Sequence, residues 1–470
     1  MPLCKMPDTL YFRLCVTSSI STPQKVAPQL LRDVGKYMRY IIDLHIHSKY
    51  SRACSKNLTL SNLGAWGRAK GIDILATGDF THPAWLAQIE ERLEPAEPGL
   101  FRLRKKFEVE DGDSAYVPAP IAALGRETRF VLATEVSCIY KKNGRTRRLH
   151  LVLLAPSIVA VKKIVSALEK LECNLRSDGR PILGLDAKEI VKICLAADPN
   201  CMVIPAHAWT PWFSVFGSES GFDSLEECFE EMTPHIHAIE TGLSSDPPMN
   251  WRLSALDKVM LVSNSDAHGV RNLGREANVF ELNAPCYGAL VDILRQRDRK
   301  RFLFTIEFFP EEGKYHVDGH RACDFYCEPD KTAKLGGRCP KCGKDLVRGV
   351  LGRIDKLADR PMSAEYPLAV PYKRIVPLEE VIGEALGKGR ASKAVFEIYK
   401  KLLAGVGPEF AVLLDAAESA IASASSVRVA EAVARMRAGQ LVIRPGYDGV
   451  FGEVHIFGAD ERPKQGHLSV

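Results

Sequence analysis

From Tyr40 to His268, short apolar runs alternate with stretches of helical period, and nearly every apolar run ends in a histidine or a carboxylate. The runs are 40–47, 73–79, 130–137, 149–155, 202–207, 237–241 and 259–266; amphipathic helical patterns lie between several of them, at 60–70, 158–171 and 187–197. Strands alternating with helices predict parallel βα units. Seven strands in one such domain predict a closed, TIM-like barrel rather than an open sheet. In a parallel barrel the C-terminal strand ends converge on one mouth, where active sites are built. The residues delivered there are His45 and His47; Asp79, with His82 just beyond; Glu135; His150, placed early in its strand; His207; Glu240; and Asp266 with His268.

His45 and His47 alone would fit two surface histidines on an edge strand. Residues i and i+2 of a strand share a face, however, so both imidazoles point the same way. Histidines mixed with carboxylates suit zinc, manganese or iron rather than calcium or a thiolate-bound ion. The ligands outnumber the needs of one ion, which implies two or three, with Glu135 able to bridge. Multi-metal sites serve phosphoester hydrolysis by activating water and stabilising charge on phosphoryl oxygens. Amide hydrolysis or deamination by a related barrel uses a similar His-x-His.

At 470 residues the chain exceeds what one hydrophobic core usually serves, ~250–300 residues. A net charge of +5 makes no global basic field, but basic runs at 102–106, 141–148 and 295–301 can follow phosphates or simply face water. No apolar run reaches membrane-spanning length. Thirteen cysteines, an odd number scattered through apolar segments, suit a reducing cytoplasm. Residues 1–37 are expected to be an extension, disordered or a start assigned too far upstream, and 38–300 the catalytic barrel. In 301–357, Cys323 and Cys327 are followed after eleven residues by Cys339-Pro340-Lys341-Cys342-Gly343, the spacing of a structural zinc closed by four thiolates. His316 and His320 just before it could serve as alternative ligands or DNA contacts, and are expected to be neither. Residues 358–470 begin with prolines at 361, 367, 371 and 377. Helices broken by Gly383, Gly387 and Gly389 follow, then a terminal hairpin around 445–452.

His45-x-His47, Thr77-Gly78-Asp79-Phe80, Glu135, His150, Pro205-Ala206-His207 and Asn264-Ser265-Asp266-Ala267-His268, in that order, resemble the PHP (polymerase and histidinol phosphatase) superfamily. Within it the chain is similar to the endonuclease Q family. That similarity is carried by residues 43–56 (DLHIHSKYSRACSK), 76–83 (ATGDFTHP), 305–320 (TIEFFPEEGKYHVDGH), the cysteine module and 444–452 (RPGYDGVFG). The resemblance implies an α/β fold: a distorted seven-stranded (β/α) PHP barrel with a four-cysteine zinc-binding module and a C-terminal helical domain. It implies metal-dependent hydrolysis 5′ of a damaged nucleotide (deoxyinosine, deoxyuridine, deoxyxanthosine or an abasic site), leaving 3′-hydroxyl and 5′-phosphate ends. It places metals on His45, His47, Asp79, Glu135, His150, His207, Asp266 and His268, with Asp79, Asp266 and His268 catalytic; His82 and Glu240 remain outside the firm set. Ala53 and Phe80 stand where many PHP proteins have histidines, so two or three divalent metals (zinc, manganese or magnesium) are expected, besides one structural zinc. Damaged DNA is the implied partner; a repair nuclease can also work with a sliding clamp, but no clear clamp-binding motif supports one. A histidinol-phosphatase-like phosphoesterase of small molecules and a non-catalytic DNA-binding scaffold are the alternatives. Phe80, Trp85, Trp209, Trp212 and Tyr315 lie near the motifs, as packing or as stacking residues.

Overall fold

The computed structural model describes residues 38–108, 125–362, 366 and 368–462; the extension 1–37 and Pro367 lie outside the described residues. Strand β1 (Met38–Asp43) buries Tyr40 to Asp43 and pairs in parallel with β2 (Ile74–Ala76), Ile42 facing Ile74. β2 pairs in parallel with β3 (Arg129–Lys142), Ala76 facing Val131. β4 (Arg145–Ala155) pairs with β3 and with β5 (Met202–Pro205), both antiparallel. Beyond β5, the Ala208 N–H donates to the Glu240 carbonyl at the end of β6 (Ala238–Glu240). β6 runs parallel to β7 (Met260–Val262), and past β7 a parallel bridge joins Ala267 to Ile46, returning to the end of β1. On its other edge β1 pairs antiparallel with β8 (Ala277–Leu282), which pairs antiparallel with β9 (Phe302–Glu307). The fold is thus mixed α/β around a mixed central sheet, with a C-terminal helical region.

The antiparallel β3–β4 pair corrects the expectation of parallel units throughout. Asn143-Gly144 joins these strands, with φ of 53° and 73°. Positive φ at both central residues makes the two-residue turn whose twist matches a hairpin, so the chain doubles back instead of crossing over through a helix. The reversal also explains His150. β4 runs away from the hairpin tip, so a residue early in it lies near the middle of β3: His150 faces Ser137, two residues past Glu135.

Helix α1 (Leu60–Lys70) buries Leu60, Leu63, Trp66 and Ala69, the spacing of one helical face. Thr59 caps its first turn, and Gly71, at φ 83°, ends it. α2 (Ile158–Lys170) and α3 (Ala187–Ala197) are capped by Ser157 and Asp186. The helical region comprises α4 (Leu378–Leu386), α5 (Lys393–Gly405), α6 (Glu418–Ala424) and α7 (Val427–Arg437). Its buried Glu409 binds Lys70 Nζ of α1 at 2.9 Å and accepts from Tyr399 Oη at 2.7 Å. The expected terminal hairpin is present as Val442–Arg444 paired with Glu453–His455. Among the described residues, no helix is long and apolar enough to cross a membrane.

Candidate metal centre

The end of β1 is tied to the 264–274 loop by polar side chains. Asp43 accepts from the N–H groups of Ser265 and Gly274, both at 3.1 Å, and Asn264 Oδ1 accepts from the Leu44 N–H at 2.9 Å. This brings His45 and His47 against Asp266. His45 Nδ1 faces Glu240 (3.0 and 3.1 Å), which holds the ring with Nε2 inward, 3.6 Å from Glu135 Oε2 and 3.7 Å from Asp266 Oδ1. That Nε2 is buried and has no hydrogen-bond partner. His47 faces Asp79 Oδ1 through Nδ1 (3.2 Å), and Asp266 Oδ1 (3.0 Å) and Glu135 Oε2 (3.3 Å) through Nε2.

Glu135 uses its other oxygen on a second pair of histidines. Oε1 lies 2.7 Å from His150 Nδ1 and 3.1 Å from His207 Nε2. Two groups of potential ligand atoms result, each drawn together within 4.8 Å: His45, His47, Glu135 and Asp266, then Glu135, His150 and His207. Glu135 belongs to both. Buried nitrogen and oxygen donors without thiolate, one of them unpartnered, fit divalent cations of the zinc or manganese kind. Burial disfavours a protonated His47, but Asp266, Asp79 and Glu135 outweigh it and hold the ring well above the usual imidazole range. Burial also opposes charge on Glu135, and His150, His45 and Arg180 overcome it, keeping the carboxyl well below its usual range. His150 is pushed down to about 4, chiefly by burial, and so is neutral at physiological pH. Protons on His45 and His47 thus balance carboxylates that a cation would otherwise balance, and cation binding must release them.

Other expected residues stand back from these groups. Asp79 is behind His47, with Oδ2 accepting from the Ser48 N–H, Ser48 Oγ and Ser51 Oγ at 2.6 to 2.9 Å. A Cβ on Gly179 would come within 2.3 Å of that oxygen, so the wall behind Asp79 needs glycine. His268 sits at the rim, its ring 4.7 Å from that of His47 and its Nδ1–H donating to the Asp266 carbonyl at 2.8 Å. His82 turns away, bonding the Arg176 carbonyl and stacking on Tyr50. Glu240 orients His45 and also accepts the His207 N–H at 2.7 Å. Arg180, 3.1 Å from Glu135 Oε2, had no signal in the sequence, since it lies in a loop without periodicity.

In the cysteine module the structure departs from four thiolates. The gathered set is His320, Cys323, Cys339 and Cys342. The strand pair Asp318–His320 and Phe325–Cys327 sets Cys327 opposite Asp318, away from the turn that carries His320 and Cys323. Cys327 Sγ lies 3.3 Å from Thr332 Oγ1 and packs with Cys339 and Leu346, beside the gathered set.

Of the aromatic residues, Phe80, Trp85 and Trp209 are buried packing, and Trp85 Nε1–H donates to the Gly78 carbonyl beside Asp79. Trp212 is half exposed. With Tyr315, Lys314, His316 and the exposed Phe451 it lines a cleft of about 420 Å³. Thr210 is also part of this cleft, and its Oγ1 is 3.2 Å from His207 Nδ1.

Residues 377–440 match the family model of the MJ0043 C-terminal domain. An uncharacterized protein of Methanocaldococcus jannaschii, MJ0043, is 31% identical over 255 residues, 53% of this chain; the match spans only 31% of that longer protein. The lesion-specific endonuclease PfuEndoQ from Pyrococcus furiosus has a similar structure, with a TM-score of 0.75 and 31% identity, covering 89% of this chain and 95% of that one. An endonuclease Q solved with a 27-mer duplex substrate that has an abasic lesion at the active site gives a TM-score of 0.73 and 31% identity, covering 89% and 97%. With that identity sustained over nearly the whole length of both solved proteins, the chain belongs to the endonuclease Q family.

Proposed function

We propose that the protein is a metal-dependent DNA repair endonuclease. It hydrolyses the phosphodiester on the 5′ side of a damaged nucleotide (deoxyinosine, deoxyuridine, deoxyxanthosine or an abasic site), leaving 3′-hydroxyl and 5′-phosphate ends. The observation that carries this reading is the near full-length likeness to an endonuclease Q whose active site holds an abasic lesion in duplex DNA. Strands β1 to β7, joined in a ring from Ile42–Ile74 round to Ile46–Ala267, support reading the catalytic part as a distorted seven-stranded PHP barrel.

His45, His47, Glu135 and Asp266 would hold one cation, and Glu135, His150 and His207 a second. Asp79 and Glu240 would orient the rings of His47 and His45, and His268 at the rim would meet a further cation or the reacting phosphate. Divalent cations bound there supply activated water and offset charge on phosphoryl oxygens. His320, Cys323, Cys339 and Cys342 would hold a zinc that folds the module. The cleft beside His207 offers aromatic faces and a lysine to an extruded base, and extrusion is least costly for a mismatched or missing base.

A panel of end-labelled duplexes, each with one lesion, tests the proposal. Cutting at a single position in the damaged strand is expected, with the undamaged duplex intact and with Asp266→Ala inactive though folded. Equal cutting of damaged and undamaged duplexes would remove the lesion specificity.

A further inference from the structure

Arg180 is, among the described residues, the one lysine or arginine that forms an ion pair with a carboxylate of either ligand group. It reaches Glu135 from the open side, since its side chain is 25% exposed while that of Glu135 is fully buried. The backbone beneath it is pinned. Its own N–H donates to Asp178 Oδ1 at 3.2 Å, the Gly179 N–H donates to the Tyr50 carbonyl at 3.1 Å, and the Pro181 carbonyl accepts from the Ser137 N–H at 3.0 Å. The freedom left to Arg180 is therefore in its side chain.

Glu135 Oε2 is shared between the histidines and the guanidinium. It is the oxygen turned toward His45 and His47, and it is also the oxygen that Arg180 holds. A cation held by His45, His47, Glu135 and Asp266 would compete with the guanidinium for Glu135 and weaken its hold at the mouth. Such a planar fork of N–H donors matches phosphate oxygens two at a time and stays charged at any relevant pH.

We infer that Arg180 is a catalytic residue, which leaves Glu135 when the ligand groups are filled and grips the non-bridging oxygens of the scissile phosphate. This rests on the nuclease reading above. In that hydrolysis a water oxygen bonds to phosphorus and the P–O3′ bond breaks; O3′ keeps the electron pair and gains a proton. Arg180 gives up no proton; it faces the negative charge that grows on the phosphoryl oxygens.

The test compares wild type, Arg180→Gln and Arg180→Lys. Three quantities are measured: single-turnover cutting of a duplex with one deoxyuridine, binding of that duplex under chelator, and manganese affinity of the metal-stripped protein by calorimetry. Arg180→Gln is expected to cut about 10²–10³-fold more slowly. Arg180→Lys should recover part of the rate, and duplex affinity should change by less than about tenfold. Manganese should bind Arg180→Gln as tightly as wild type or more tightly, because a competitor for Glu135 has gone. Manganese affinity falling in step with the rate would overturn the assignment, making Arg180 a support for Glu135; so would cutting at the wild-type rate. If wild type cuts no lesion duplex, the nuclease reading itself fails and takes the assignment with it.

Discussion

Glu135 divides its two oxygens between two histidine pairs, and the rings of His45 and His47 are each turned by another carboxylate. Glu240 turns His45, and Asp79 turns His47 while locked by Ser48 and Ser51. Loss of such an orienting partner typically lowers metal affinity about 10–100-fold. Asp79→Asn should therefore bind manganese that much more weakly, as read by calorimetry on the folded variant; unchanged affinity would show that His47 needs no anchor. The sequence made His45, His47, Asp266 and His268 legible because each pair stands two residues apart at the end of an apolar run. It did not reveal Arg180, and it left His320 outside the expected ligands. Arg180 acts from an irregular segment and His320 from the end of a short strand, and only the fold brings them to their partners.

At the scale of elements, seven apolar runs sufficed to place the strands, but their direction depended on two residues. Asn143-Gly144 turns β3 back into β4, which explains His150 early in its strand and shows why an all-parallel expectation failed. The junction of α1 with the helical region gives a stability test. Glu409 pairs with Lys70 and also accepts from Tyr399 Oη and the Leu378 N–H, all buried. Glu409→Leu strands a buried ammonium and should cost about 3–5 kcal/mol in denaturant unfolding. Adding Lys70→Met should restore part of that loss; a double variant as unstable as the sum of the single ones would contradict this account of the pair. A second test lies on β9. Burial raises Glu307 to about 8, with Asp246 adding to it and the hydrogen bond from Thr241 opposing. The folded state thus keeps a proton that the unfolded chain releases at lower pH. Its contribution is fully present below the ordinary glutamate range and is lost as pH rises toward about 8. Glu307→Gln should flatten the fall in stability over that window by up to about 1.4 kcal/mol per pH unit; parallel curves for the two proteins would contradict the assignment.

Across the whole molecule, two distant sequence motifs meet beside the metal centre. The Gly446 N–H donates to the Glu311 carbonyl, the Gly449 N–H to that of Lys314, and Tyr447 Oη to Asp324 of the cysteine module at 2.5 Å. The segments 305–320 and 444–452 thus build one wall, which brings Tyr315 and Phe451 to the cleft near His207. Their adjacency could not be read from a chain in which more than a hundred residues separate them; the fold supplies it by threading the tail back under the module. The central claim is that cations held by the groups sharing Glu135 drive lesion-directed cutting. The most direct measurement is on metal-stripped protein and an end-labelled duplex with one abasic site, with and without restored manganese, in wild type and Glu135→Gln. The account predicts no cutting without metal, a single 5′-side nick when manganese is restored to wild type, and none with Glu135→Gln. Cutting under chelator, or wild-type cutting by Glu135→Gln, would contradict it.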